Sequence, residues 1–190
     1  MGFSFSTAAL YNGYNLVISA SSSITSNGCT VGVPTALYNN TTGTDNTAVG
    51  RSALSSSTTG LQNTAVGSYA MWLNTIGRAN TALGQGALQN NTTGDFNTAV
   101  GGGQPGAQYG PLGLNITGQY NVAVGTSALC NNKESYNTAI GFASLEGQTT
   151  GNYNTAIGYR AGGTGTNNVT TGANNTLIDR KSTRLNSSHI

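Results

Sequence analysis

Very little of this sequence is charged: Asp, Glu, Lys and Arg together supply 6% of its 190 residues. A chain so short of cations offers no footprint for a phosphate backbone, which excludes nucleic acid as a partner class. There is one histidine, His189, and there are two cysteines, Cys29 and Cys130. A single imidazole cannot assemble a multi-histidine metal centre, and two isolated thiols do not make a zinc site. No apolar run approaches the ~20 residues that a membrane-spanning helix requires. The opening stretch MGFSFSTAALYNGYNLVISAS has no basic region and no clear cleavage site, so it is not read as a secretory leader. No cofactor motif is present. Gly101-Gly102-Gly103 lacks the lysine and the following helix of a phosphate-binding loop.

What the sequence has instead is a phrase that returns. Asn-Thr-Ala-(Val/Ile/Leu)-Gly begins at Asn46, Asn63, Asn80, Asn97, Asn121, Asn137 and Asn154, with Val122 once replacing the threonine. The step is 17 residues, apart from one of 24 after Asn97 and one of 16 after Asn121. An earlier, degenerate copy reads Gly28-Cys29-Thr30-Val31-Gly32, followed by Ala36-Leu37 and Thr41-Thr42-Gly43. A further copy starts at Asn175-Thr176-Leu177-Ile178. A fixed period of this size marks a solenoid in which each unit is buried only by its neighbours. It also argues against the disorder that so much Gly, Asn, Ser and Thr would otherwise suggest.

After Ile178 the repeat requires glycine, and the sequence instead continues Asp179 to His189 as DRKSTRLNSSH. That run resembles the translation of a common sequencing-library adapter. Residues 179–190 are therefore set apart as a non-native tail, with the natural gene expected to continue. Without the tail the only histidine is lost, and no Ser–His or Cys–His pair can be built. Residues 1–178 then hold four cations, Arg51, Arg78, Lys133 and Arg160, against four anions, Asp45, Asp95, Glu134 and Glu146. The body is neutral.

Each unit translates into a rung. Thr-Ala-Val is short, β-branched and alternating, so it reads as a strand. Alternation puts Thr47 and Val49 on one face and Asn46, Ala48 and Gly50 on the other. The aliphatic slot (Val49, Val66, Leu83, Val100, Val124, Ile140, Ile157) is expected to face the interior, with the small Ala48-type residues outward, where identical neighbours could pack. The pairs Ala53-Leu54, Ala87-Leu88 and Ala128-Leu129 supply a second inward hydrophobe. Gly50 ends the strand, and Gly60, Gly94 and Gly151 close the Thr-Thr-Gly corner, where positive φ is expected. Asn at the start of the strand can stack into amide ladders. The fold class is all-β: a β-solenoid, or β-roll, of about eight short coils. Residues 1–27 form a cap or an incomplete preceding segment, with Leu16-Val17-Ile18 as a capping strand. Residues 28–178 form the repeat domain, with 101–118 as an inserted loop. Cys29 and Cys130 lie about five rungs apart, roughly 24 Å at ~4.8 Å per rung, beyond disulfide reach.

The recurring Thr-Ala-(Val/Ile)-Gly-x-x-Ala-Leu resembles the repeats of trimeric autotransporter adhesin heads. The Asn-Thr-Ala-Ile-Gly and Thr-Thr-Gly elements are also similar to shafts of phage tail fibres. The likeness covers residues 28–178, although the unit here is 17 residues against about 14 in the adhesin heads. It implies a left-handed roll that assembles as a homotrimer, placed outside a cell or on a virion.

Two features are candidates for recognition. Phe96, Tyr120, Tyr136 and Tyr153 precede Asn in consecutive copies and should form a ladder, either as bracing stacks or as a strip for a surface glycan or receptor. The long step after Asn97 contains Tyr109 between Pro105 and Pro111, and insertions in solenoids become projecting loops. No catalytic set emerges. Asp45 and Asp95 lie about three rungs apart, roughly 14 Å, where a glycosidase needs ~5–9.5 Å. The leading expectation is a structural and adhesive fibre segment. The alternative is an ice-binding solenoid, because Thr47, Thr64, Thr81, Thr98, Thr138 and Thr155 recur once per rung. A carbohydrate-degrading β-helix is the weakest class. A fibre is expected to turn its Thr/Val face inward, an ice binder to turn it outward.

Overall fold

The structure is a computed structural model, and it describes residues 16–18, 36–103, 109–163 and 171–178. Among these residues there are nine strands: β1 (Leu16–Ile18), β2 (Thr47–Val49), β3 (Thr64–Val66), β4 (Thr81–Leu83), β5 (Thr98–Val100), β6 (Val122–Val124), β7 (Thr138–Ile140), β8 (Thr155–Ile157) and β9 (Thr176–Ile178). They form one parallel sheet in chain order, each strand beside the next. Register is strict: Thr47 lies beside Thr64, Ala48 beside Ala65 and Val49 beside Val66, and the pattern continues to Ile157 beside Ile178. No helix occurs among the described residues. The chain is an all-β solenoid.

One neighbour differs from the period. Counting back a full unit from Thr47 leads to Thr30, yet the partner of Thr47 is Leu16. The expected strand at 16–18 therefore exists and takes the place of the degenerate copy, whose residues 28–35 lie outside the described residues, as do Cys29 and the tail 179–190. Ala36 and Leu37 do occupy a rung, with the Leu37 N–H donating to the Ala53 carbonyl at 3.0 Å.

The alternation along each strand is as expected, but its sense is inverted. Ala48, Ala65, Ala82, Ala99, Ala123, Ala139 and Ala156 are fully buried. The flanking residues are partly open: Val66 is 37% and Ile157 43% exposed. A rung of this size leaves room inside for one large aliphatic group, and that place is taken from the opposite wall by Leu54, Met71, Leu88, Leu112, Leu129 and Leu145, all fully buried. A strand valine turned inward would meet that leucine, so alanine is the residue that fits. The second inward hydrophobe of the Ala-Leu pair is therefore the main one.

Corners are turned by residues other than those expected. Gly50 does have positive φ, at 121°, and a Cβ there would stand 2.8 Å from the Gly67 carbonyl carbon. Gly60, Gly94 and Gly151 do not adopt positive φ. They are glycine because rungs touch there: a Cβ on Gly60 would lie 2.8 Å from the Gly77 carbonyl oxygen. The left-handed turns fall on side-chain-bearing residues, among them Leu54 (φ 50°), Leu88 (φ 50°) and Phe96 (φ 57°). A left-handed residue costs about 1–2 kcal/mol, and burying a leucine side chain offsets that with ~1.5–3 kcal/mol.

Asparagine fills the rest of the interior. The Asn46 Oδ1 accepts from the backbone N–H of Asn63 at 3.0 Å and from its Nδ2 at 3.1 Å. The Asn63 Nδ2 also donates across the interior to the Gly77 carbonyl at 2.8 Å. The expected amide ladder thus runs from Asn46 to Asn175. A second column, unforeseen in the sequence, passes through Asn74, Asn91 and Asn115.

Candidate functional site

Three outward features could meet a partner. The first is the sheet face itself. Because alanine points in, Thr47 and Val49 and their equivalents form two straight ranks on the outside, in register along the column. The threonine rank is broken by Val122, and the aliphatic rank varies between Val, Leu and Ile.

The second is the aromatic column. Phe96, Tyr120, Tyr136 and Tyr153 stack as expected, with ring centroids 4.9, 5.2 and 4.9 Å apart and planes within 6–8° of parallel. Each occupies a left-handed backbone position, φ 55–62°, which projects the ring from the corner just before Asn. The rings are 44–57% exposed. Their faces, however, lie against one another. A sugar stacks on a free ring face, and here only the two outer faces are free, beside Ala79 and Asn174 in the flanking rungs.

The third lies on the corner after the strand and was missed in the sequence. Trp72, the only tryptophan in the chain, is 37% exposed. Its ring meets Tyr69 edge to face, with centroids 5.5 Å apart and planes at 63°. The Arg51 guanidinium sits 4.4 Å over the Tyr69 ring and donates a short hydrogen bond to the Tyr69 hydroxyl. In the next rung stand Gln85 and Gln89, and the four side chains Tyr69, Trp72, Gln85 and Gln89 line a depression of about 290 Å³. The signal available beforehand was positional: Trp72 falls in the rank that also holds Ser55, Gln89, Gly113, Cys130, Glu146 and Gly163.

The long step after Asn97 opens at this same corner. The Gly103 N–H donates to the Gln85 carbonyl, and the Gly110 N–H to the Gly86 carbonyl, both at 3.1 Å. From there the rung is regular: Leu112 takes the leucine place, Asn115 the second asparagine place and Gly118 the corner. The additional residues are thus held between Gly103 and Gly110, a shorter stretch than 101–118. Tyr109 is half-buried at its end, and residues 104–108 lie outside the described residues.

Titratable groups contribute little. Burial, with Glu146 nearby, raises the Cys130 thiol from 9.0 to about 11, so it stays protonated and unreactive at neutral pH. Arg78 and Asp95 pair at 3.7 Å on the surface. Among the described residues no three His, Cys, Asp or Glu side chains group as a metal site, and no helix is long and apolar enough to cross a membrane. No protein family, curated protein or solved structure matches the chain.

Proposed function

We propose that this chain is a segment of a homotrimeric fibre, displayed outside a cell or on a virion, whose role is to project and to adhere. Its work is mechanical, not catalytic: stacked rungs hold a recognition surface away from the body that carries them. The inward Thr/Val face expected of a fibre is not what the fold adopts; what supports this reading instead is the outward aliphatic rank Val49, Val66, Leu83, Val100, Val124, Ile140 and Ile157 on a face without charge. A continuous apolar stripe of that kind favours a partner that covers it. A second copy presents the same stripe with the same rung spacing, and cyclic assembly about an axis parallel to the column brings equal rungs to equal heights. The number three comes from the resemblance to adhesin heads and fibre shafts.

Ice binding is the second reading, favoured by the outward threonine rank, which is the orientation expected of that class. The irregularity of the ranks weighs against it. An ice lattice needs a uniform face, whereas a cyclic assembly tolerates Val at one height and Leu or Ile at another, since each layer meets its own equivalents. Light scattering on the purified protein tests the proposal. The expected mass is three chains, falling to one in Val124→Lys with an unchanged β-sheet circular dichroism spectrum. A wild-type monomer with measurable thermal hysteresis would reverse the ranking of the two readings.

A further inference from the structure

The corner occupied by Tyr69, Trp72, Gln85 and Gln89 differs from the stacked columns elsewhere on the surface. In the aromatic column each ring is braced by the next. The Phe142 and Tyr159 rings are also stacked, with centroids 5.3 Å apart. Trp72 has no such partner: its equivalents in the flanking rungs are Ser55 and Gln89. Tyr69 is covered by Arg51 on one side, but on the other its equivalent is Gly86, which has no side chain to lay over the ring. Among the described residues, neither ring has a stacked partner in the next rung, and both border the depression.

The polar half of the depression is also uncommitted. Gln89 is 8% exposed as a whole residue, yet its amide is not one of the buried unpartnered groups and opens onto the depression. Neither the Gln85 nor the Gln89 side chain forms a hydrogen bond to another described residue, although both line the depression. Each amide carries donors and an acceptor on one planar group, which suits neighbouring hydroxyls. Among the described residues no acidic side chain lines the space, and the nearby cation, Arg51, is engaged by the Tyr69 hydroxyl. A volume of about 290 Å³ is at the small end of ligand sites (~300–1,000 Å³), the scale of a single sugar ring.

We infer that this corner is a binding site for a neutral pyranose unit of a glycan. Trp72 and Tyr69 supply apolar surface for the sugar's C–H face, and Gln85 and Gln89 bond its hydroxyls. The aromatic column contributes stability and not recognition. The site lies on the corner beyond the strand, so it does not depend on how many copies associate through the sheet face.

Trp72 is the only tryptophan in the chain, so intrinsic fluorescence reports on this site directly. The probes are maltotriose, cellotriose and triacetylchitotriose, with lactose and 3′-sialyllactose as a matched neutral and charged pair. At least one neutral trisaccharide is expected to give a saturable change in emission. Gln85→Ala, an exposed position that leaves the interior intact, should weaken that binding by roughly tenfold. Gln89→Leu should do the same with an unchanged circular dichroism spectrum, and Tyr136→Ala should have no effect on it. No saturable change with any neutral probe would overturn the assignment. So would binding that survives both glutamine substitutions but is lost in Tyr136→Ala, since that places the sugar on the aromatic column. Tighter binding of sialyllactose than lactose would transfer recognition to Arg51 and reject the neutral class. A monomeric mass with intact binding would sink the fibre proposal and leave this site standing.

Discussion

Two columns of asparagine run through the same interior, and only one of them is continuous. In the column that starts at Asn46, every Oδ1 accepts the backbone N–H of the next asparagine, at 2.9–3.0 Å, through every step to Asn175. In the other, the links join side chain to side chain, such as Asn91 Nδ2 to Asn74 Oδ1 at 2.8 Å. That second column contains Ser57 and, as its last described member, Gln148, and it leaves Asn40 Oδ1, Ser57 Oγ, Asn115 Oδ1 and Gln148 Oε1 buried without a partner. A side chain that satisfies the backbone of the next strand must be asparagine in every rung, because a shorter or longer residue orphans a buried N–H. A side chain that satisfies only another side chain can vary.

The sharpest way to break this distinction is to remove one amide from each column. Asn97→Ala would leave the Asn121 backbone N–H unpaired and delete bonds to Asn80 Oδ1 and the Gly118 carbonyl. One orphaned buried donor and several lost bonds add to about 4 kcal/mol. Asn91→Ala deletes bonds to Asn74, to the Gly94 carbonyl and from Asn115 Nδ2, but Asn91 Oδ1 accepts no backbone N–H and Asn115 Nδ2 keeps the Gly118 carbonyl at 3.0 Å, so no donor is orphaned. Its expected loss is about 2 kcal/mol. Urea denaturation of the two variants measures the gap, and equal losses would remove the special standing of the first column.

The exposed aromatic column provides the contrast from outside. Tyr136 stacks on both Tyr120 and Tyr153. Tyr136→Ala loses two ring contacts of ~0.5–1.5 kcal/mol each, so about 2 kcal/mol is expected, with the left-handed backbone unchanged. The companion Tyr153→Ala removes a ring with one partner and should lose about half as much. If Tyr153→Ala proves the more damaging, the column does not brace the rungs by stacking.

How much of this was legible beforehand follows from which signals are periodic. Recurrence of Asn46, Ala48 and Val49 every rung dictates a parallel stack in register, and the aromatic column follows from the same count. The sense of the strand face was not legible, because alternation states which residues share a side and not which side is inside. Volume decides that: Leu54 and its equivalents already fill the interior, and nothing in the strand itself announces it. Likewise Gly60 reads as a turn residue, but its glycine reflects the close approach of Gly77. The Trp72 corner was hidden for the opposite reason. It occurs once, so no period marks it, and only the lateral neighbourhood of consecutive rungs brings Tyr69, Trp72, Gln85 and Gln89 together.

The smallest expected effect is a gain, and it sharpens the same contrast. Ser57 interrupts the second column between Asn40 and Asn74, where its hydroxyl and the Asn40 Oδ1 are both buried and unpaired. Asparagine at 57 would occupy the place that Asn74 and Asn91 hold in their own rungs. There its Nδ2 would reach the Gly60 carbonyl, as Asn74 reaches Gly77 at 3.0 Å. It would also donate to Asn40 Oδ1 and accept from Asn74 Nδ2, following the Asn91-to-Asn74 link. Completing those bonds should stabilise the fold by about 1 kcal/mol, a rise of ~2–4 °C in melting temperature for a chain of this length. The equivalent test at the other break is weaker, because the short step after Asn121 puts the Glu134 carbonyl where glycine normally stands. A Ser57→Asn protein that melts lower than wild type would mean that the second column is interrupted for lack of room, and not for lack of selection on its hydrogen bonds.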